Sequence, residues 1–332
     1  MSLEIKTTAI QQRRQTFANV ARRLGADRPA SRYEESMYDL QPEVNFHYRP
    51  TWAPEYELFD KSRTAITMED WYAPRDPRQL YYGAYTIARS RMMEATEKNF
   101  AFVEKRQLLA AIAPAWAEIV RLYLLPLRHY EWGANMNNSQ ITAIGYGAAI
   151  TQATQFITMD RLGIAQIISR VGLVMDGNAG DSLAAAKRAW MDDPVWQGVR
   201  RMVEDSLVLT DWFELLVAQN LSMDGMLYPL VYGRFDAGGQ AHGAQGLSML
   251  TEFMVDWQDD NAKWVDAVIK RVAAENDANR QLLSGWYAAW ATRAQEALRP
   301  LADHVLGCDG VTALAEIRQA LDARARKIGL LV

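Results

Sequence analysis

Apolar and polar positions divide the chain into two regimes. From about Leu80 onward, apolar residues recur at helical spacing. Ile150, Ile157, Ile164 and Ile168 fall near one face, and Met202, Leu209, Trp212 and Leu216 near another. The pattern predicts a long helical stretch over 81–136, with Pro114 and Pro126 as kinks or breaks. A second unit follows, opened by a capping signal at Asn138/Ser139 and closed by "DGNAGD". A third covers about 181–223. A fourth begins after Pro229 and runs through His242 to about Trp257. Helices over about Asp259 to Val305, broken near Asn276, and Gly310 to Ile328 complete the chain. Strand alternation and a βαβ rhythm are both absent, so the expected class is all-α.

Before Leu80 the texture changes. Six of the eleven prolines lie between Arg28 and Gln79, among aromatics that include Tyr38, Phe46, Tyr48, Trp52, Tyr56 and Phe59. Proline at this density forbids long helices and central strands. Disordered tails, in contrast, are poor in aromatics. The sequence therefore divides into an extended Pro/aromatic-rich arm, 1–79, and a helical domain, 80–332. The arm is expected to lie ordered on a surface, either its own domain's or a partner's.

Composition narrows the function. With 332 residues, 49% of them hydrophobic, a large core is possible. A net charge of -4 gives no case for nucleic acid, and no basic run suggests a membrane surface. Cys308 is the only cysteine, which excludes an internal disulfide and any cysteine-clustered metal site. The opening "MSLEIKTTAIQQRRQTF" lacks the apolar run of a signal peptide, and no stretch of 18 apolar residues occurs, so a cytoplasmic protein is expected.

Candidate chemistry is sparse. "GRFDAGGQAHGAQG" has neither a preceding strand nor a Lys-Ser/Thr pair, so it is no phosphate loop. His47, His129, His242 and His304 lie far apart without zinc-type partners. No nucleophile elbow is present. Helical bundles can hold two irons with a Glu from each of two helices and a Glu-x-x-His from each of the other two. Here Val44, Pro126, Gly239 and Leu301 stand three residues before the histidines, so no Glu-x-x-His exists.

Even so, "PLRHYEWGANMNNSQ" and "WYAPRDPRQLYYGAYTIARS", in this order and with the aromatic arm, resemble the bacterial multicomponent monooxygenases that hydroxylate methane, toluene or phenol. The likeness covers about residues 35–300 and is nearest to the β subunit of the phenol hydroxylases. It implies a ferritin-like long-helix bundle in a non-catalytic β subunit that supports a di-iron α subunit and dimerisation of the complex. Further partners implied are a small γ subunit, a second copy of the protomer, a regulatory protein, and a reductase carrying FAD and 2Fe-2S. The assembled enzyme would convert phenols to catechols with O2 and NADH, this chain holding no cofactor. Two alternatives stay open: an independent ferritin-like metalloprotein or oxidase with a degenerate site, and a toluene monooxygenase β subunit.

Laid along this chain, the family's ligand pattern places Glu131 first. Arg161 and Ile164 stand where Glu and His belong, Asp205 is third, and Gly239 and His242 form the last pair. On this register Glu131, Asp205 and His242 survive, and a cation, a hydrocarbon and a glycine replace ligands. Arg161 shares a face with Ile157, Ile164 and Ile168. It is expected either to pair inside with Glu131 or Asp205, His242 nearby, or to reach the surface along its stem. Gly238 and Gly239 suggest close backbone approach of another helix rather than a cofactor. Tyr38, Phe46, Tyr48, Trp52, Tyr56 and Phe59 are the candidates for the partner interface.

Overall fold

The structure, a computed structural model, describes residues 16–25, 28–44 and 46–332. Most of the opening segment examined for a signal peptide, residues 1–15, lies outside them. Among the described residues there is no strand, and no helix is long and apolar enough to cross a membrane.

The arm holds little regular structure: α1 (Ala18–Leu24), α2 (Arg32–Glu35) and a 3-10 turn at Lys61–Arg63. A capping box starts α2, with the Ser31 hydroxyl accepting from the Glu34 amide and Glu34 answering to the Ser31 amide. Val20, Tyr33, Met37 and Tyr38 bury themselves with Tyr72 and Ala149 in a small cluster of their own. This part of the arm therefore lies on the chain's own surface, one of the two placements expected. Aromatic density is high enough for a satellite core, and Tyr38 is consumed in it.

The helical part begins with α3 (Tyr82–Arg106), α4 (Pro114–Tyr123) and α5 (Leu127–Ile144). Pro114 opens α4, where a missing amide costs nothing, and Pro126 immediately precedes α5. The cap expected at Asn138/Ser139 is absent, because both lie inside α5. Their side chains donate back to the carbonyls of Ala134 and Asn135, the alternative such residues have to capping. The real break is Gly145–Gly147, before α6 (Ala148–Met175). Gly147 has φ +91°, and a Cβ there would meet the Trp71 carbonyl oxygen at 2.8 Å. Only glycine lets the chain reverse so close to the arm. α7 (Asp181–Asp192) and α8 (Pro194–Ser206) follow, the second capped by Asp193.

A continuous run over 212–239 then threads the core. It comprises α9 (Trp212–Leu216), a π-helical segment Val217–Met223, α10 (Asp224–Tyr228), a second π-helical segment Pro229–Phe235 and α11 (Asp236–Gly239). The expected break at Pro229 does not occur. Pro229 stands where the hydrogen-bond ladder changes step, so its missing amide removes a bond already interrupted there. Every residue from Leu215 to Tyr228 is buried. A helix buried on all sides carries no amphipathic stripe, which is why the pattern did not mark it as one element.

After a turn at Gln240–His242 come α12 (Gln245–Ala273), α13 (Asp277–Leu306) and α14 (Gly310–Lys327). The break near Asn276 is present, its side chain capping α13. One large apolar core joins these helices, with Trp196, Trp212, Trp257 and Trp264 fully buried.

Candidate functional site

Four elements surround a charged cluster in this core: α5, α6, the 212–239 run and α12. Arg161 on α6 is completely buried, as are Glu131 on α5 and Asp224 on α10. Arg161 Nη1 donates to Glu131 Oε2 at 2.9 Å and to the Tyr228 hydroxyl at 3.0 Å, and Nη2 donates to Asp224. Tyr228 in turn donates to Glu131 Oε1 at 2.9 Å. Asp224 Oδ1 also accepts from the Tyr130 hydroxyl at 2.7 Å and from Gln219 Nε2 at 3.0 Å. The indole of Trp257 lies under the guanidinium, 4.4 Å from ring centre to Arg161 Cζ.

The local fold explains the convergence. Glu131 and Tyr130 lie a turn and a half before Asn137, whose amide reaches Ser206 and Gln219. The π segment before Asp224 contributes a wide turn, and Gln219, Asn220, Ser222 and Asp224 are all buried on it. Trp257 ties the cluster to a second ion pair. Its Nε1 donates to Asp160, which also accepts from Tyr85 and Arg89 of α3. Consecutive residues Asp160 and Arg161 thus anchor two polar networks on either side of one indole.

Burial pushes the Glu131 carboxyl above its usual range, and the Arg161 charge only partly offsets it. Burial also disfavours the charge on Arg161, but Asp224, Tyr228 and Glu131 outweigh it and hold the guanidinium protonated. Burial raises the Tyr130, Tyr228 and Tyr232 hydroxyls well above their ordinary value. All three stay neutral, and Tyr130 and Tyr228 serve as hydrogen-bonding groups of the cluster.

Arg161 is inward and bonded to Glu131. Ile164 is completely buried one turn along α6. The placement of Asp205 is corrected: it sits on the outer face of α8, half exposed, bonded to Arg293. The stretch 207–211 ends α8 before the chain reaches the centre, so the inward carboxylate is Asp224 instead. His242 is corrected as well. It is exposed in the turn after the run, its ring stacked on Trp116 at 4.6 Å, and no bond links it to Arg161. Gly239 lies under the same Trp116, where a Cβ would come 2.9 Å from the indole Nε1. The glycine makes room for this tryptophan. Of the arm residues, Tyr48 and Trp52 are exposed, Phe46, Tyr56 and Phe59 half-buried, and Tyr38 is buried within the chain.

A di-iron centre does not fit these residues. The guanidinium occupies the space between the two carboxylates and donates a bond to each, so a cation there would face its positive charge. No histidine joins them. Among the described residues, no group of three or more His, Cys, Asp or Glu side chains is placed to hold a metal.

The family model for methane, phenol and alkene hydroxylases matches residues 52–276, more than half of the sequence. The chain belongs to this hydroxylase family. It is 52% identical over 331 residues to the phenol 2-monooxygenase oxygenase component DmpL of Pseudomonas sp. strain CF600, covering 99% of this chain and 98% of that protein. Identity to the corresponding component MhpL of Acinetobacter pittii strain PHEA-2 is 48%, covering 99% and 98%. The crystal structure of xenon-pressurized phenol hydroxylase from Pseudomonas sp. OX1 superposes with a TM-score of 0.93 at 47% identity, covering 99% of both chains. The all-α, ferritin-like fold expected of the family is the fold observed.

Counted from Asp224 instead of Asp205, the same 34 residues that led to Gly239 lead to Gln258, and Asn261 stands three further on. Both are on α12, next to Trp257. Asn261 is buried, and neither atom of its amide head has a hydrogen-bond partner among the described residues. Two amides in place of Glu and His remove the remaining ligand charge. A sequence signal for this register existed: Asp224 is the only charged residue between Glu214 and Arg234.

Proposed function

We propose that this chain is the structural β subunit of a phenol-hydroxylating oxygenase, and that it performs no redox chemistry itself. The observation that carries the reading is the guanidinium of Arg161 bonded to both Glu131 and Asp224. Side-chain charge balances the carboxylates there. The cluster then joins four helices instead of supplying a reaction centre. The iron belongs to a separate α subunit, where dioxygen would be activated. Electrons from NADH would reach it through a reductase carrying FAD and 2Fe-2S. The γ subunit, the regulatory protein and a second protomer complete the expected assembly, and the cytoplasm is the expected compartment. This chain contributes rigid surface.

The names of the relatives support the assignment, since two are oxygenase components of phenol 2-monooxygenases. A more distant relative is the hydroxylase component subunit beta of toluene-4-monooxygenase from Ectopseudomonas mendocina, 22% identical over 81% of this chain and 78% of that protein. The much higher identity to the phenol enzymes favours phenols over toluene. An independent metalloprotein is disfavoured by the filled centre.

Surface chemistry supports assembly. Trp132, Met136, Met159 and Leu162 leave apolar area exposed on α5 and α6. Asn135 bonds the Thr158 carbonyl between these helices and so fixes the two faces side by side. Such area is typical of an interface. We take 1–79 as an arm and 80–332 as the helical domain, with Tyr48, Trp52 and the partly buried Phe46, Tyr56 and Phe59 directed to the α subunit. Co-expression with the other oxygenase subunits should yield a complex that makes catechol from phenol when reductase, regulatory protein, NADH and O2 are supplied. The chain alone should make none, and catechol formation by the chain alone would overturn the proposal.

A further inference from the structure

Among the described residues, one buried arginine bonds no carboxylate. Arg63, in the 3-10 turn of the arm, is 8% exposed, and its Nε and Nη2 are shielded from solvent with no hydrogen-bond partner among the described residues. No carboxylate lies within ion-pair distance of it among those residues. The face of the Tyr56 ring lies 4.5 Å from Cζ to the ring centre, and Asp60, the carboxylate that feels the Arg63 charge, accepts from Glu57 and Ser62 instead. A buried charge with no counter-charge is costly. Among the described residues, the buried Arg161 and Arg89, and Arg78 with its buried side chain, each bond a carboxylate.

Arg63 lines a cavity of about 610 Å³ between the arm, α5 and the 207–211 turn. Trp52 and Val208, each 75% exposed, stand on its rim. Two carboxylates share the lining. Asp211 is fully engaged, one oxygen accepting from the Ala65 amide at 2.7 Å and the other from the amides of Phe213 and Glu214. Glu55 is exposed and makes no bond to Arg63. The pocket thus combines an apolar rim, a ring and a shielded guanidinium to which no carboxylate among the described residues is bonded.

We infer that this pocket is a socket for an acidic side chain of the partner subunit, whose carboxylate completes Arg63 when the oxygenase assembles. The inference rests on the β-subunit reading and deepens it. The apolar rim selects a protein partner over a free anion, because Trp52 and Val208 would otherwise stay in water. A carboxylate suits the guanidinium because it can take two parallel N–H bonds, and the surrounding burial strengthens the pair.

The test compares full-length wild type with Arg63→Met, Arg63→Lys and Glu55→Gln, measuring both urea unfolding of the isolated chain and affinity for the co-purified partner subunits. Arg63→Met removes an uncompensated charge, so the isolated chain should be as stable as wild type or more so. Assembly should weaken by at least about thirtyfold, as for loss of one member of a buried charge pair. Arg63→Lys should recover part of the affinity, and Glu55→Gln should leave stability and assembly unchanged. A destabilised Arg63→Met chain with unchanged assembly would make Arg63 an internal structural residue and overturn the inference. So would a Glu55→Gln chain behaving like Arg63→Met, because Glu55 would then be the counter-ion. Failure of wild type to assemble at all would instead count against the β-subunit reading.

Discussion

Replacing Arg161 by Met tests the buried cluster in its own terms. Methionine matches the aliphatic stem and keeps contact with Trp257, but leaves Glu131 and Asp224 facing each other without a cation. Removing one member of a buried ion pair costs about 3–5 kcal/mol. Arg161 serves two carboxylates and Tyr228 at once, so the upper part of that range is expected. The triple variant Arg161→Met/Glu131→Gln/Asp224→Asn should recover most of the loss, since neutral amides tolerate the same site. The pH dependence has a fixed sign. Burial already raises the Glu131 carboxyl, and loss of the guanidinium raises it further. The folded variant then holds a proton that the unfolded chain has released, so its stability falls as pH rises above the ordinary carboxylate range near 4. Urea unfolding of the variant at pH 5 and pH 8, followed by far-ultraviolet circular dichroism, should show a larger deficit against wild type at pH 8. A loss below about 1 kcal/mol, the scale of an exposed pair, or a deficit independent of pH and of the two carboxylates, would refute the reasoning.

Asp224→Ala should cost several kcal/mol, about as much as other broken buried pairs, whereas Asp205→Ala should cost about 1 kcal/mol or less; equal urea midpoints for the two would contradict the reassignment. His242→Ala should cost only about 1 kcal/mol in urea unfolding, the worth of its stacking on Trp116. Burial, with help from Arg128 and Lys187, pulls His129 down to about 4. The unfolded chain therefore binds the extra proton first, and stability present above about pH 6.5 is lost as pH falls toward 4; in His129→Phe, thermal melts at pH 7 and pH 5 should differ less than in wild type. Trp132→Glu should impair co-purification with the partner subunits while leaving helical content unchanged, and intact assembly would remove α5 from the proposed interface.

How much of this was legible in the sequence depends on where the information lies. Helices α6 and α14 each carry one apolar stripe and show a period, which gives the extent of α14 and the end of α6 but not its start at Ala148. The 212–239 run does not, because a helix surrounded by core has no polar face to mark it and Pro229 imitates a terminus. That error shifted the third ligand position to Asp205 and the last pair to Gly239 and His242. Glu131 and Arg161 were readable because α5 and α6 are a simple hairpin, where the 30-residue spacing is fixed by local geometry. Asp224 needed the π segments, which change the facing of residues without any signature in composition. Tyr38 shows the limit for the arm. Composition reports that aromatics must be covered, but the chain's own Tyr72 and Ala149, distant in sequence, decide what covers them.

The central claim is that the charged cluster stands where metal would be bound and leaves no room for it. Iron counted per polypeptide, on this chain purified alone and again on the assembled oxygenase separated into its subunits, addresses that claim directly. The account predicts no stoichiometric iron on this chain in either state, with the metal retained by another subunit of the complex. Two irons per molecule of the isolated chain would contradict it.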